Sequence, residues 1–198
     1  KSRAVAAGRD PAQLKVFPGA TFVLGDSAAD AAEKARHIRR QQVGPQTAIA
    51  MLEGVWQRDL SGYDPDGPLP DVEPLDDPTV TQGRVRHGDP KALAAAWRER
   101  AQADSLSIRE LVIAVTSRQQ FVGTAGQVAA EIDRYVQSDA CDGFILVPHL
   151  TPHGLDDFVD SVVPLLQERG VFRTEYGGAT LRENLGLRPV SPAPPLPG

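Results

Sequence analysis

The strongest constraint on the fold comes from two short apolar segments, each followed by a helical pattern. Residues 14–24 read LKVFPGATFVL and carry no charge after Lys15, and residues 143–147 read GFILV. Strands with continuous apolar runs are typical of parallel sheets, in which helices cover both faces. Pro18 and Gly19 interrupt the first segment and predict a kink or bulge there. The chain is therefore expected to form an α/β fold.

Helical patterns fill most of the remaining sequence. Capping residues and apolar spacings of three and four predict four helices, over 27–42, 45–58, 91–103 and 124–136. Residues 107–118 favour a further helix, but Leu111–Val115 has strong β-propensity, so a strand stays open as an alternative.

The final helix has a long apolar stripe. It begins near Leu155, Gly170 ends it, and Pro164 should kink it by removing a backbone hydrogen bond. The proline-rich residues 188–198 that close the chain predict a flexible tail, which leaves 1–187 as the folded part.

Residues 61–90 form the longest stretch without an apolar period. They hold many prolines, glycines and acidic residues, which predicts a long loop. Loops of this length in compact domains are usually functional or disordered, and a lid-like insertion is favoured here over plain disorder. Few apolar anchors are expected in it, and its acids, such as Asp64 and Asp66, are expected to be solvated.

Composition narrows the function classes. The net charge is −5 and no run of Lys or Arg occurs, which argues against nucleic-acid and membrane-surface binding. The sequence contains no apolar run of about 18 residues, so no membrane span is predicted. No positively charged segment leads into a hydrophobic one, so no signal peptide is predicted either. The single cysteine, Cys141, is expected to be a small buried side chain in a protein of the reducing cytoplasm.

Several longer sequence runs carry a specific resemblance. They are LKVFPG, DLSGYDPDGPLP, FVGTAGQVAAEIDRYV, DGFILVPH, GLDDFVDSVVPLLQERGVFRTEYGG and TLRENLGL. In this order they resemble the C-terminal part of the nitrilotriacetate, pristinamycin IIA and dibenzothiophene-sulfone monooxygenase family, whose members are flavin-dependent and luciferase-like. The resemblance covers residues 8–187.

The resemblance implies the C-terminal portion of a (β/α)₈ TIM barrel, mostly helical, with the long insertion between the last two strands. Segments 14–24 and 143–147 would be the seventh and eighth strands. Because a barrel needs eight strand–helix units, an N-terminal barrel portion that also holds the flavin-phosphate loop is expected elsewhere. The chain does not begin with Met, which agrees with that expectation.

The resemblance also implies an activity. Reduced FMN would come from a separate NAD(P)H-dependent flavin reductase and react with O₂ to oxygenate a small organic substrate. The alternative is a non-catalytic remnant or interaction module, which would keep the residues that pack the fold but not the chemistry. Both a monomer and a homo-oligomer stay open.

Active sites of such barrels lie at the carboxyl ends of the strands, which nominates residues 22–26 and 148–150. Phe22 and Pro148 are candidate cofactor contacts. His149 is the candidate catalytic residue, because its imidazole could hydrogen-bond a flavin or oxygen atom, with a plain loop histidine as the alternative. His149 and His153 lack a Glu or Cys partner, so no metal site is predicted.

The RTEY run from Arg173 to Tyr176 lies well past the last strand. Its residues are expected to hold the C-terminal segment against the barrel rather than to contact flavin.

Overall fold

The computed structural model describes residues 1–75, 89–117 and 119–188. They divide into two compact units, one from Lys1–Ala32 with Gln119–Gly198 and one from Glu33–Arg118. We call them the sheet unit and the helical unit. No helix within the described ranges is long and apolar enough to cross a membrane.

In chain order the helices and strands are α1 (Ser2–Ala6), β1 (Gly19–Leu24), α2 (Ala28–Gln42), α3 (Pro45–Trp56), α4 (Pro90–Asp104), α5 (Ile108–Thr116), β2 (Gln119–Gly123), α6 (Ala125–Gln137), β3 (Ile145–Leu146), α7 (His153–Ser161), α8 (Val163–Glu168) and α9 (Leu181–Asn184).

The sheet unit is built on a parallel three-stranded sheet in the order β2-β1-β3. The central strand β1 starts at Gly19, directly after the proline that was expected to interrupt it. Leu14 and Val16 are 37% and 46% exposed, so the strand predicted over 14–24 is too long at its amino end. The α/β class is as predicted.

Strand β2 was not foreseen, and it corrects the strand assignment. It lies between β1 and β3 in sequence, so segments 14–24 and 143–147 are not consecutive strands and cannot be the seventh and eighth of a barrel. The insertion of 61–90 therefore lies between β1 and β2. Strand β1 pairs with both neighbours, whereas successive units of a barrel would place β2 in the middle.

One face of this sheet is covered by helices. The Phe22 ring of β1 lies 4.7 Å from the Phe158 ring of α7, measured between centroids. Phe121 of β2 meets the Phe144 ring edge-on at 5.2 Å. The buried core on this face comprises Ala20, Phe22, Phe121, Val128, Ala129, Ile132, Phe158, Val162 and Leu166. Cys141 is buried, as predicted.

The other face of the sheet is open at the edge strand β3. Side chains alternate along a strand, so the neighbours of helix-facing Leu146 point the opposite way. Ile145 and Val147, which hold these positions, are 60% and 47% exposed. Val23 of the central strand lies on the same face and is only 2% exposed, so the uncovered apolar surface is confined to the edge strand β3.

The helical unit packs α3, α4 and α5 around Trp56, which is fully buried. Residues 61–75, the first half of the predicted insertion, are fixed to this core. The Trp56 Nε1 group donates to the Val72 carbonyl at 2.8 Å, and Leu69 and Val72 pack against the cluster. The expectation of few apolar anchors is therefore wrong for 61–75, while 76–88 lie outside the described residues.

Helix predictions made from caps are confirmed. Of the two alternatives for 107–118, the helix is observed: α5 covers Ile108–Thr116 and begins with a capping box of Ser107 and Glu110. The final long helix is divided at Val162 into α7 and α8, with Pro164 in the first turn of α8. Of the tail predicted at 188–198, only Arg188 lies within the described residues.

Candidate functional site

The carboxyl ends of the three parallel strands meet at one edge of the sheet. Leu24, Gly123 and Leu146 are the last residues of β1, β2 and β3. The Gly25 amide donates to the Gly123 carbonyl at 3.1 Å, which ties the ends of β1 and β2 together. We call this edge the strand-end site, because the predicted residues 22–26 and 148–150 lie along it.

Gly25 allows β1 to turn directly into α2. A Cβ atom at this position would stand 2.4 Å from the backbone nitrogen of Ala31. Such a separation is well below van der Waals contact, so only glycine fits here without displacing the helix. The start of α2 is thereby held against the end of β1.

Two of the helices that begin at this edge, α2 and α6, have side-chain caps, whereas α7 has none. The Ser27 hydroxyl accepts from the Asp30 amide at 3.1 Å. At the start of α6, Thr124 and Gln127 form a reciprocal capping box. These contacts satisfy part of the free amides of each first turn and fix the strand-to-helix connections.

His149 lies where the sequence predicts, immediately past β3. The Val147 amide donates to the Ala20 carbonyl at 2.8 Å, so β3 stays paired to within two residues of it. The His149 side chain is exposed. An exposed imidazole at a strand end can donate or accept a hydrogen bond with a molecule bound there.

The His149 loop lies in van der Waals range of the start of α7, at Gly154. A Cβ atom on this buried glycine would stand 3.6 Å from Pro148 Cβ and 3.7 Å from His149 Cε1. The Gly154 amide also donates to the Leu150 carbonyl at 3.0 Å. Residues 148–150 thus contact the first turn of α7.

His153 is the first residue of α7 and is exposed as well. Among the described residues, no group of three or more His, Cys, Asp or Glu side chains is arranged to hold a metal ion.

Phe22 has a different setting from His149. Its side chain is only 2% exposed and packs on Phe158 in the helix-facing core. Pro148 is half-buried next to the exposed histidine. The structure therefore brings Pro148 and His149 together in one loop, whereas the Phe22 ring lies in the core against Phe158 of α7.

Gly123 and Thr124 also belong to the strand-end site, and the sequence prediction missed them there. The capping box at Thr124 was recognised, but the strand before it was not. The Phe121-Val122 pair ahead of a Gly-Thr helix start is the signal that could have shown it.

Comparison with known proteins gives close relatives over nearly the whole chain. The chain is 38% identical to N-acetyl-S-(2-succino)cysteine monooxygenase of Bacillus subtilis (strain 168), covering 96% of this chain and 42% of the relative. It is also 38% identical to dibenzothiophene-sulfone monooxygenase of Rhodococcus erythropolis, covering 95% and 40%. The identity to nitrilotriacetate monooxygenase component A of Aminobacter aminovorans is 35%, covering 94% and 40%.

The chain is a homologue of the luciferase-like two-component monooxygenases. The resemblance predicted from the sequence runs is therefore confirmed. The chain spans about two fifths of the length of these monooxygenases. No family model matches it.

Solved structures of these monooxygenases and related proteins share the fold. EDTA monooxygenase from Chelativorans sp. BNC1 matches with a TM-score of 0.55 and 29% identity, over 94% of this chain and 42% of that one. A riboflavin lyase with modified FMN and riboflavin matches with a TM-score of 0.57 and 27% identity, over 93% and 38%. A small parallel sheet covered by helices is compatible with part of a TIM-type barrel, although its strand order β2-β1-β3 is not that of three successive barrel units.

Proposed function

We propose that this chain is part of a flavin-dependent monooxygenase that uses reduced FMN and O₂ to oxygenate a small organic substrate. The observation that carries the proposal is the homology to monooxygenases along 94–96% of the chain. The chain would form the C-terminal portion of the barrel, and the N-terminal portion would supply the remaining strands and most flavin contacts.

The exposed apolar surface of β3 is suited to contact with a flat, largely apolar ring system. Ile145 and Val147 expose apolar surface there, and this strip runs to the polar loop at His149. An isoalloxazine ring has apolar faces and a polar edge. Its face would lie on Ile145 and Val147, and its polar edge would point to the loop at His149. When bound, reduced FMN would supply the electrons that activate O₂.

His149 would act at the polar end of this strip. Its imidazole N–H would donate a hydrogen bond to an oxygen atom of the cofactor or substrate and could transfer a proton there. His153 belongs to the first turn of α7 and would take no part in the chemistry.

Pro148 would contact the cofactor directly beside His149. For Phe22 the proposed contribution is indirect, because its ring lies in the core against Phe158. By anchoring α7 under residues 148–150, Phe22 would hold the His149 loop in place.

The reduced flavin would be delivered by a separate NAD(P)H-dependent flavin reductase in the cytoplasm, where NAD(P)H is supplied. The support is that one relative is a "component A", a name that indicates a second component. The substrate pocket would be completed by loops of the whole protein, which set specificity in folds of this kind.

The test uses the full-length protein with a flavin reductase, FMN, NADH and a panel of aminopolycarboxylates, organosulfur compounds and hydrophobic heterocycles. We expect oxygenation of at least one class. His149→Ala should lower its rate by about 10²-fold or more, the scale of general acid–base catalysis, with unchanged circular dichroism. The matched His153→Ala variant should retain near-normal turnover.

Near-normal turnover of His149→Ala would reduce this residue to a loop histidine and leave the monooxygenase proposal intact. Absence of flavin-dependent O₂ consumption by the full-length protein would instead favour a non-catalytic module.

A further inference from the structure

A large cavity opens in the sheet unit, beside the residues that precede β1 and β3. It has a volume of about 840 Å³. The second half of α6 forms a second wall, and α8 with residues 171–176 forms a third. None of residues 22–26 and 148–150 lines it, so the cavity is distinct from the strand-end site.

The walls of the cavity are held in place by contacts within this chain. Gly143 has φ +152°, and a Cβ atom there would stand 2.7 Å from the Phe17 ring, so glycine allows this ring to close one side. The Gln167 side-chain amide of α8 donates to the Arg173 carbonyl at 2.9 Å, which ties the segment after α8 to that helix. The cavity is therefore formed without a ligand, as small-molecule sites usually are.

Aromatic side chains are concentrated in this cavity. Four of the six phenylalanines and one of the three tyrosines line it, namely Phe17, Phe144, Phe158, Phe172 and Tyr176. Phe172 and Tyr176 are 38% and 72% exposed, so their rings offer free surface. Aromatic rings attract one another through stacked and edge-on contacts, beyond the area that they bury. This lining therefore suits a flat aromatic molecule.

The charged groups around the cavity balance one another. Two cations and three acids line it: Lys15, Arg173, Asp133, Asp142 and Glu175. Asp142 accepts from the Lys1 ammonium at 2.8 Å, which adds a third cation. The Asp133 Oδ1 atom has almost no accessible surface, so it is turned away from the cavity. Three positive charges thus meet three negative ones, and the lining complements a neutral ligand.

The polar groups of the segment after α8 favour stacking over hydrogen bonding to a ligand. The Arg173 guanidinium lies over the Phe172 and Tyr176 rings at 4.8 and 4.7 Å. Because a guanidinium is planar and stacks on aromatic faces, it joins the two rings into one wall. The Asn184 side-chain amide donates to the Gly178 carbonyl at 3.0 Å and is engaged within the chain.

We propose that this cavity binds a neutral, flat aromatic molecule, in addition to any ligand of the strand-end site. The rings of the ligand stack on Phe172 and Tyr176, and Ile132 and Leu166 cover its apolar body. A charged ligand would lose its hydration in a largely apolar cavity without gaining a surplus of opposite charge, so neutral molecules are selected.

2-Naphthol and its saturated counterpart decahydro-2-naphthol are the probes, with the full-length protein and calorimetric titration at pH 7. We expect 2-naphthol to bind about 10-fold more tightly, because only its rings can stack. The charged analogues 2-naphthoate and 2-naphthylmethylammonium should both bind more weakly than 2-naphthol.

A pair of variants locates the binding site. Phe172→Leu keeps an apolar side chain but removes the ring, so it should weaken 2-naphthol binding by about 5-fold and leave decahydro-2-naphthol binding unchanged. Tyr63→Leu is the matched control, because Tyr63 is 39% exposed and lies in the helical unit, and it should leave the affinity for 2-naphthol unchanged.

Four results would overturn the proposal. The full-length protein could bind neither probe, which would mean that its own chain fills the cavity. The two probes could bind equally well, or a charged analogue could bind more tightly than 2-naphthol. Equal affinity of 2-naphthol for the wild type and the Phe172→Leu variant would place the molecule elsewhere on the protein.

Discussion

Replacing Phe158 by alanine should strongly destabilise the sheet unit. The side chain is 4% exposed and its ring packs on Phe22 at 4.7 Å. Truncating a buried phenylalanine typically costs about 3–5 kcal/mol, of which the aromatic pair itself contributes about 0.5–1.5 kcal/mol. Since domains are stable by about 5–15 kcal/mol, the loss is a large share of the total.

The measurement is urea unfolding of the full-length protein followed by far-UV circular dichroism. The neighbouring Val159 is 48% exposed and provides a matched control, because Val159→Ala should change stability by only about 0.5 kcal/mol. A double-mutant cycle of Phe22→Leu and Phe158→Leu should give a coupling of about 0.5–1.5 kcal/mol. A loss below about 1 kcal/mol in Phe158→Ala, or an equal loss in Val159→Ala, would refute the packing of α7 on the sheet.

Three further outcomes are expected. Gly25→Ala should destabilise the fold by about 1–3 kcal/mol, since its Cβ would stand 2.4 Å from the α2 backbone, and chemical denaturation measures this. The lowered pKa of Asp142, caused by Lys1 and Val16, gives stability that is complete above the ordinary pKa of 3.8 and is lost as pH falls toward the folded value. Asp142→Asn should flatten that part of the acid-unfolding profile, and an unchanged profile would contradict it. Residues 1–198 expressed alone should bind FMN weakly and give no oxygenation, whereas micromolar binding in a fluorescence titration would show that this segment suffices.

Local signals in the sequence predict the helices well. The capping boxes at Ser107 and Thr124 bring donor and acceptor within three residues of each other, so they act before any tertiary packing. Pro164 likewise predicts the division of the last helix, because proline has no backbone N–H to donate. Where a sequence feature is satisfied by its immediate neighbours, the prediction from sequence holds.

The strands depend on partners that are distant in sequence. β2 starts with two glutamines and has only Phe121 and Val122 as apolar residues, so it lacks a pattern of its own and forms because it pairs with β1. Residues 61–75 show the same limitation. Their polar composition predicts a loose loop, whereas the Trp56 indole and the Val72 carbonyl fix it.

Among the site residues, the sequence predicts only those that directly follow a recognised strand. His149 was located because it directly follows an apolar run, and the structure places it at the strand end. The cavity lined by α6, α8 and the segment after α8 could not be foreseen, because these parts of the chain meet only in the folded protein.

The most direct test of the proposed activity is oxygen incorporation from isotopically labelled O₂ by the full-length protein, supplied with reduced FMN and the substrate panel. We expect one labelled oxygen atom in the product, formation that depends on FMN, and a rate about 10²-fold lower in His149→Ala. Product without the label, or turnover that does not need flavin, would contradict a flavin-dependent monooxygenase.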